Sequence, residues 1–312
     1  MKRVFAWILA GILLCGATAC GVPQPGTELP SATEPPVENV PPTPEATPEA
    51  TPEPTPLPTP EPLTSRESAL PVLMYHHVVQ DGEACNSMTV TVGRFREDLE
   101  WLIANGYHFV LPGDLISQEP LPEKPVMISF DDGYKSNYDL AFPLLKELNA
   151  KMALALVVSF SDYDTGSGLS WDICREMEAS GLVEFGSHTY RLHNLDERGG
   201  SYDPNGPNGI ERLPEESREE FDQRVIGDLR LSIDTLEREL GRDVIYFAYP
   251  YGQKEEWAED FIRENFRVTT VTTHGCADLR EDFYDLERYT ITMQSGPASV
   301  LPVNEQERDE GI

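Results

Sequence analysis

The sequence predicts an α/β fold built on a parallel sheet, and three observations carry the prediction. Segments with strand character alternate with segments of helical periodicity about seven times along the chain. Residues 152–158 are apolar without interruption, as in a strand covered on both faces. Polar motifs directly follow the strand candidates: His76-His77, Asp131-Asp132, the pair His188 and His193, and Pro250-Tyr251-Gly252. In parallel α/β architectures the C-terminal strand ends share one face, so these motifs are expected on one rim.

Residues 71–75 read as a short buried strand that ends in His76-His77-Val78. A helix is expected over about residues 95–105, with Phe95, Leu99, Leu102 and Ile103 at helical spacing and Gly106 as its stop. A short strand at 107–111 precedes the apolar strand 126–130, which delivers Asp131-Asp132-Gly133. Leu140, Leu144, Leu145 and Leu148 mark a helix over 138–148, and the apolar run 152–158 is the next strand. Ser170 is placed to cap a helix that Gly181 closes, and strand 182–185 then leads to His188 and His193. A polar stretch at 194–213, rich in Gly, Pro and Asn, is expected to be a loop over the site. Helix 221–240, strand 244–249, a helix through Trp257, Phe261 and Ile262, and strand 268–273 complete the series.

The chain ends lie outside this pattern. Lys2 and Arg3 precede the apolar residues 4–14, and Gly16-Ala17-Thr18-Ala19 leads to Cys20, which reads as a secretory signal over 1–19. The small residues before Cys20 resemble a bacterial lipobox, so a lipid on Cys20 is expected to hold the protein on the outer face of the cytoplasmic membrane. Residues 20–64 are a disordered linker of Pro, Thr, Glu and Ala. In polyproline-II geometry some 40 such residues reach roughly 100 Å or more, into a cell wall. Residues 65–295 then form one domain, and 296–312 a disordered tail.

Cys85, Cys174 and Cys276, an odd number without metal-site spacing, do not suggest a disulfide framework, though a single pair stays open for an exported protein. A net charge of −30 excludes nucleic acid as a partner and suits a neutral glycan, or one that becomes cationic during a reaction. A monomer is expected.

Two adjacent carboxylates raise one another's pKa unless a cation lies beside them. Asp-Asp-Gly is good turn sequence by itself. His188 and His193, however, can converge on one ion if the segment between them curls into a turn. One of Asp131 and Asp132 then completes a His-His-Asp set, and the other is free to take a proton from water.

Ser129-Phe130-Asp131-Asp132-Gly133, the segment from His188 to His193, and Tyr249-Pro250-Tyr251-Gly252 resemble successive motifs of the NodB-like polysaccharide deacetylases, carbohydrate esterase family four. The resemblance covers roughly residues 70–292. It implies a distorted (β/α) barrel of about seven parallel strands that removes acetyl groups from sugars with a divalent metal. Zn²⁺ is the first choice, with Co²⁺, Ni²⁺ and Fe²⁺ as alternatives. By the same resemblance Asp131 is the catalytic base, Asp132, His188 and His193 are metal ligands, and the Tyr251 N–H contributes to an oxyanion hole.

There are two departures from that family. Ala248 stands where many members carry an arginine that orients the base, and no late Leu-x-His segment supplies a general acid, since His274 lies in Thr-His-Gly. Met74-Tyr75-His76-His77-Val78 resembles the rearranged branch that deacetylates poly-N-acetylglucosamine, which implies that His76 is the acid. His77 is expected to support the site or face away, and His108 to be structural. The implied activity is hydrolysis of N-acetyl groups on an N-acetylglucosamine polysaccharide. An O-deacetylase of xylan or wall sugars, or a glycan-binding module with a decayed site, are the alternatives.

Overall fold

The structure, a computed structural model, describes residues 69–163, 166, 168–193 and 209–301. The expected signal, Cys20, the linker and most of the loop 194–213 lie outside the described residues.

In chain order the strands are β1 (Ala69–Leu70), β2 (Val72–Tyr75), β3 (His77–Val79), β4 (Thr89–Thr91), β5 (His108–Phe109), β6 (Pro125–Phe130), β7 (Met152–Leu156), β8 (Val183–Ser187), β9 (Tyr246–Ala248), β10 (Val268–Thr270), β11 (Ala277–Asp278) and β12 (Tyr289–Thr290). The α-helices are α1 (Val92–Ala104), α2 (Pro112–Ile116), α3 (Phe142–Leu148), α4 (Val158–Asp162), α5 (Trp171–Ala179), α6 (Arg218–Phe221), α7 (Gly227–Leu240), α8 (Glu256–Asn265) and α9 (Pro297–Val300).

Seven strands form a curled half-barrel in the order β10-β9-β8-β7-β6-β2-β12, and β5 lies against the first residues of β6. Every pairing along this path is parallel, as the sequence predicts for this α/β fold. The segment that carries β12 touches both edges. Leu286 bridges Thr270 of β10, while Tyr289 and Thr290 pair with Leu73 and Met74 of β2.

Side chains alternate across each strand, and the two faces have different characters. Leu73, Tyr75, Ile128, Phe130, Leu154, Leu156, Phe185 and Phe247 point outward into the core shared with the helices. Each such side chain contributes about 1.5–3 kcal/mol by leaving water. Val72, Met127, Ala153, Ala155, Tyr246, Ala248, Val268 and Leu286 make a second cluster on the inner face. That interior is narrow: a Cβ at Gly186 would lie 2.5 Å from the Tyr246 carbonyl oxygen, so only glycine fits there.

Local sequence sets the helix ends. Helix α1 begins three residues before the expected position because Thr91 Oγ1 accepts the Arg94 N–H at 3.2 Å. Ser170 caps α5 as expected, its Oγ accepting the Ile173 N–H. Gly241, with φ 71°, ends α7 after Leu229, Ile233 and Leu236 have been buried.

Four expectations are corrected. The strand expected over 152–158 stops at Leu156, because the Val158 and Ser159 N–H groups turn to the carbonyls of Thr189 and Tyr190 and open α4. The strand expected over 268–273 stops at Thr270. The helices expected at 138–148 and 221–240 each contain a π-helical turn, Asn137–Ala141 and Asp222–Ile226. The tail expected from 296 begins instead with α9, followed by Leu301 at 4 % exposure, and the rest of it lies outside the described residues. Cys85, Cys174 and Cys276 are all free thiols.

Candidate active site

The alternation that separates the two faces also gathers the polar residues. His76 continues the inward set of Val72 on β2, and Asp131 that of Met127 and Ser129 on β6. His188 follows Gly186 on β8, and Arg288 follows Leu286. Strand-end position and parity thus send these four side chains to one place.

Asp131 is 2 % exposed and is met by a guanidinium and an imidazole from different directions. Arg288, fully buried, grips it with Nη1 2.8 Å from Oδ1 and Nη2 2.8 Å from Oδ2. The Arg288 Nε donates to the Val271 carbonyl at 2.8 Å, which fixes the fork. His76 Nε2 lies 3.9 Å from Asp131 Oδ2. Burial by itself would raise the Asp131 carboxyl, but the Arg288 guanidinium, helped by His188 and His76, holds it well below the ordinary carboxylate range. Burial lowers the His76 imidazole, with Asp131 and Asp132 acting in the opposite direction.

Asp132 takes a different environment because the chain turns there with φ 75°. Its Oδ1 lies 3.6 Å from His188 Nε2 and 3.3 Å from His193 Nε2. The three potential ligand atoms fall within 4.8 Å of one another. His188 Nδ1 lies 2.7 Å from the Ala248 carbonyl. A carbonyl only accepts, so Nδ1 carries the proton and the Nε2 lone pair faces Asp132. Burial brings the His188 pKa down to about 4, which keeps the imidazole neutral. Asp132 Oδ1 is buried with no hydrogen-bond partner among the described residues. A neutral imidazole lone pair, a second imidazole and an orphaned carboxylate oxygen fit a divalent cation.

The turn that carries the two histidines is fastened on every side. Thr189 adopts φ 72°, and its N–H donates to Ser187 Oγ at 3.1 Å. Asp228 on α7 accepts the N–H groups of Tyr190 and Arg191 at 2.8 and 3.1 Å. Thr189 Oγ1 accepts the Leu192 N–H at 3.0 Å.

Tyr251 has φ 59° and projects at the rim, 48 % exposed, its ring 4.9 Å from that of His193. Its carbonyl accepts from Thr272 Oγ1 at 3.0 Å. His77, next to His76, faces elsewhere and stacks on Tyr134 at 4.8 Å. His108 Nδ1 contacts the Glu123 carbonyl, and His274 packs edge-on against Tyr289.

Sequence pattern does not single out Arg288, Asp228 or Asn137, whose amide donates to the His76 carbonyl. The inner-face alternation Leu286, Arg288 was the available signal for the first. The other two lie on helices where nothing local marks them.

The half-barrel gathers at its strand ends a carboxylate base candidate beside a candidate metal centre, a set suited to hydrolysis. Comparison with known proteins narrows this. Residues 118–265 match the model of the polysaccharide deacetylase family. A poly-beta-1,6-N-acetyl-D-glucosamine N-deacetylase of Escherichia coli (strain K12) is 32 % identical over 138 residues, which cover 39 % of this chain and 20 % of the relative. The chain therefore spans about a fifth of that relative's length. Among solved structures, a de-N-acetylase from Aggregatibacter actinomycetemcomitans aligns with TM-score 0.65 and 28 % identity over 74 % of this chain and 98 % of its own. IcaB from Ammonifex degensii aligns with TM-score 0.62 and 27 % identity over 74 % and 94 %. Residues 118–265 thus lie in a polysaccharide deacetylase domain, the class of hydrolase that these comparisons support.

Proposed function

We propose that the protein is an exported, lipid-anchored, metal-dependent N-deacetylase of an N-acetylglucosamine polysaccharide. One observation carries the catalytic part of the reading: two adjacent aspartates have opposite surroundings, Asp131 with Arg288 and His76, Asp132 with His188 and His193. The likeness to a poly-beta-1,6-N-acetyl-D-glucosamine N-deacetylase supports the choice of substrate.

Asp132, His188 and His193 would hold the divalent metal, Zn²⁺ first among the candidates. When bound, it supplies Lewis acidity to the acetyl carbonyl and to the attacking water. Asp131, kept ionised by Arg288, takes a proton from that water as it adds to the carbonyl carbon. The Tyr251 N–H, presented by its left-handed turn, donates to the carbonyl oxygen as negative charge develops there. His76 gives a proton to the departing nitrogen, and acetate leaves while the sugar keeps a free amine.

The anchor rests on the N-terminal sequence, with its apolar run and the small residues before Cys20. Cell fractionation of the protein and of a Cys20→Ser variant tests it, since loss of the lipid moves the protein from the membrane to the medium.

The catalytic reading is tested by acetate release from β-1,6- and β-1,4-linked N-acetylglucosamine oligomers by the Zn²⁺-loaded protein, with Asp131→Asn as control. Absence of release with any divalent metal, or equal release by the variant, overturns it. Preferential turnover of acetylated xylan assigns the site to O-deacetylation, and glycan binding without turnover to a decayed module.

A further inference from the structure

We propose that Asn137 is a positioning residue for His76. This rests on the reading of His76 as the proton donor to the leaving nitrogen.

Strand β2 ends at Tyr75 and β3 begins at His77, so His76 sits at the break between them, outside either ladder. Its carbonyl therefore needs a partner from elsewhere. Asn137 supplies it: Nδ2 donates to the His76 carbonyl at 2.9 Å. Asn137 is fully buried, and its Oδ1 has no hydrogen-bond partner among the described residues. A buried amide with one end unsatisfied is an unfavourable way to fill space. The donor end is what this position uses.

The neighbours of Asn137 act on the same segment. Ser136 Oγ accepts the Val78 N–H at 3.3 Å and lies 3.1 Å from His77 Nδ1, while the Tyr134 ring stacks on His77. Three of the four residues after Gly133 thus clamp His76, His77 and Val78. Asn137 also opens the π-helical turn Asn137–Ala141, a widening of the helix of the kind often found at functional sites. The clamp starts two residues after Asp132, so the segment that presents the aspartates also sets the direction from which His76 approaches Asp131.

If Asn137 acts through His76, its loss must matter only where a proton has to be delivered. An amine cannot leave a sugar amide unprotonated, whereas 4-nitrophenolate leaves an acetyl ester without help. The full-length Zn²⁺-loaded protein is assayed on an N-acetylglucosamine oligomer and on 4-nitrophenyl acetate as wild type, Asn137→Leu, Asn137→Ala, His76→Ala and the double variant His76→Ala/Asn137→Leu. The expected result is a fall of about 10–100-fold in kcat on the oligomer for either Asn137 variant, with KM unchanged. Hydrolysis of 4-nitrophenyl acetate stays within about twofold, and Asn137→Leu costs nothing further in the His76→Ala background.

Equal losses on both substrates, or a further loss in the His76→Ala background, overturn the proposal and leave Asn137 with a purely structural role. If His76→Ala itself impairs both substrates equally, the reading of His76 as acid fails, and the proposal with it. Should Asn137→Leu not fold, Asn137→Ala and its own double variant with His76→Ala give the same readout.

Discussion

Arg288 and Asp131 form a buried two-pronged ion pair, 2.8 Å at each prong, between the segment that closes the half-barrel and the end of β6. The resemblance leads one to expect an arginine before the Pro250-Tyr251 pair, where this chain has Ala248-Tyr249. The Ala248 carbonyl there meets His188 Nδ1, and Arg288 reaches the base from elsewhere in the chain.

Removing the guanidinium should move the acid limb of the activity profile. In the wild type the depressed Asp131 carboxyl stays ionised through mildly acid pH. In Arg288→Met the effect of burial remains without its main opponent, so the carboxyl rises and kcat/KM falls at low pH first. A shift of about 1–3 units toward alkaline pH is expected, and a smaller one in Arg288→Lys, which keeps a cation. The Met variant should also lose about 3–5 kcal/mol of stability, because a buried carboxylate is left unpaired. An acid limb at the wild-type pH in both variants would contradict the assignment.

The same depressed value fixes a window for stability. A carboxylate whose folded pKa lies below its unfolded one contributes fully above about pH 4 and loses that contribution as the pH falls through the folded value. In Arg288→Lys, whose folded value lies nearer the unfolded one, the loss should begin at the same pH but be smaller and end at higher pH than in the wild type, which acid titration followed by circular dichroism will detect.

Asp132, His188 and His193 should govern metal affinity without governing the fold. Asp132→Ala and His193→Ala are each expected to weaken Zn²⁺ binding by about 100-fold or more, measured by competition with a chromophoric chelator. Asp131→Asn, by contrast, should lose activity and retain the metal.

Asp228 should contribute to that affinity from a distance. It accepts the N–H groups of Tyr190 and Arg191 between the two histidines. Asp228→Ala leaves both donors unsatisfied, with an expected loss of about 1–3 kcal/mol in stability. Weakening of Zn²⁺ binding by about tenfold should accompany it, as for other groups that orient ligands. Normal affinity in a destabilised variant would show that the turn keeps its shape unaided.

Gly252 tests the oxyanion role of Tyr251. It has φ 70°, and a Cβ there would collide with Thr272 Oγ1 and lie 2.5 Å from the Thr272 nitrogen. Gly252→Ala should therefore displace the Tyr251 peptide and lower kcat by about 10²-fold while Zn²⁺ affinity stays normal. A simultaneous fall in metal affinity would mean that the change reaches His193 through the Tyr251 ring.

Much of this was legible in the sequence because it is local. The apolar runs before Asp131 and His188 mark strands by themselves, and a strand end in a parallel sheet has a known face. His76, Asp131, Asp132, His188 and His193 could be placed on one rim for that reason. The pairing of Arg288 with Asp131 has no such signature, since 157 positions separate the two. Tyr289 and Thr290 make only a two-residue strand, too short for periodicity to stand out. The carbonyl of His76 likewise becomes an unmet need only once the break between β2 and β3 is known.

The segment that touches both edges of the half-barrel carries the last strand in chain order, β12. A chain completed only to residue 285 already contains His76, both aspartates, His188 and His193. It lacks the guanidinium, the main influence that offsets the effect of burial on the Asp131 carboxyl. Leu286 and Tyr289 join the two edges of the sheet, and Arg288 between them holds the Asp131 carboxylate. One short segment therefore couples the closure of the sheet to the charge of Asp131, so a change that loosens either edge contact is felt at the carboxylate.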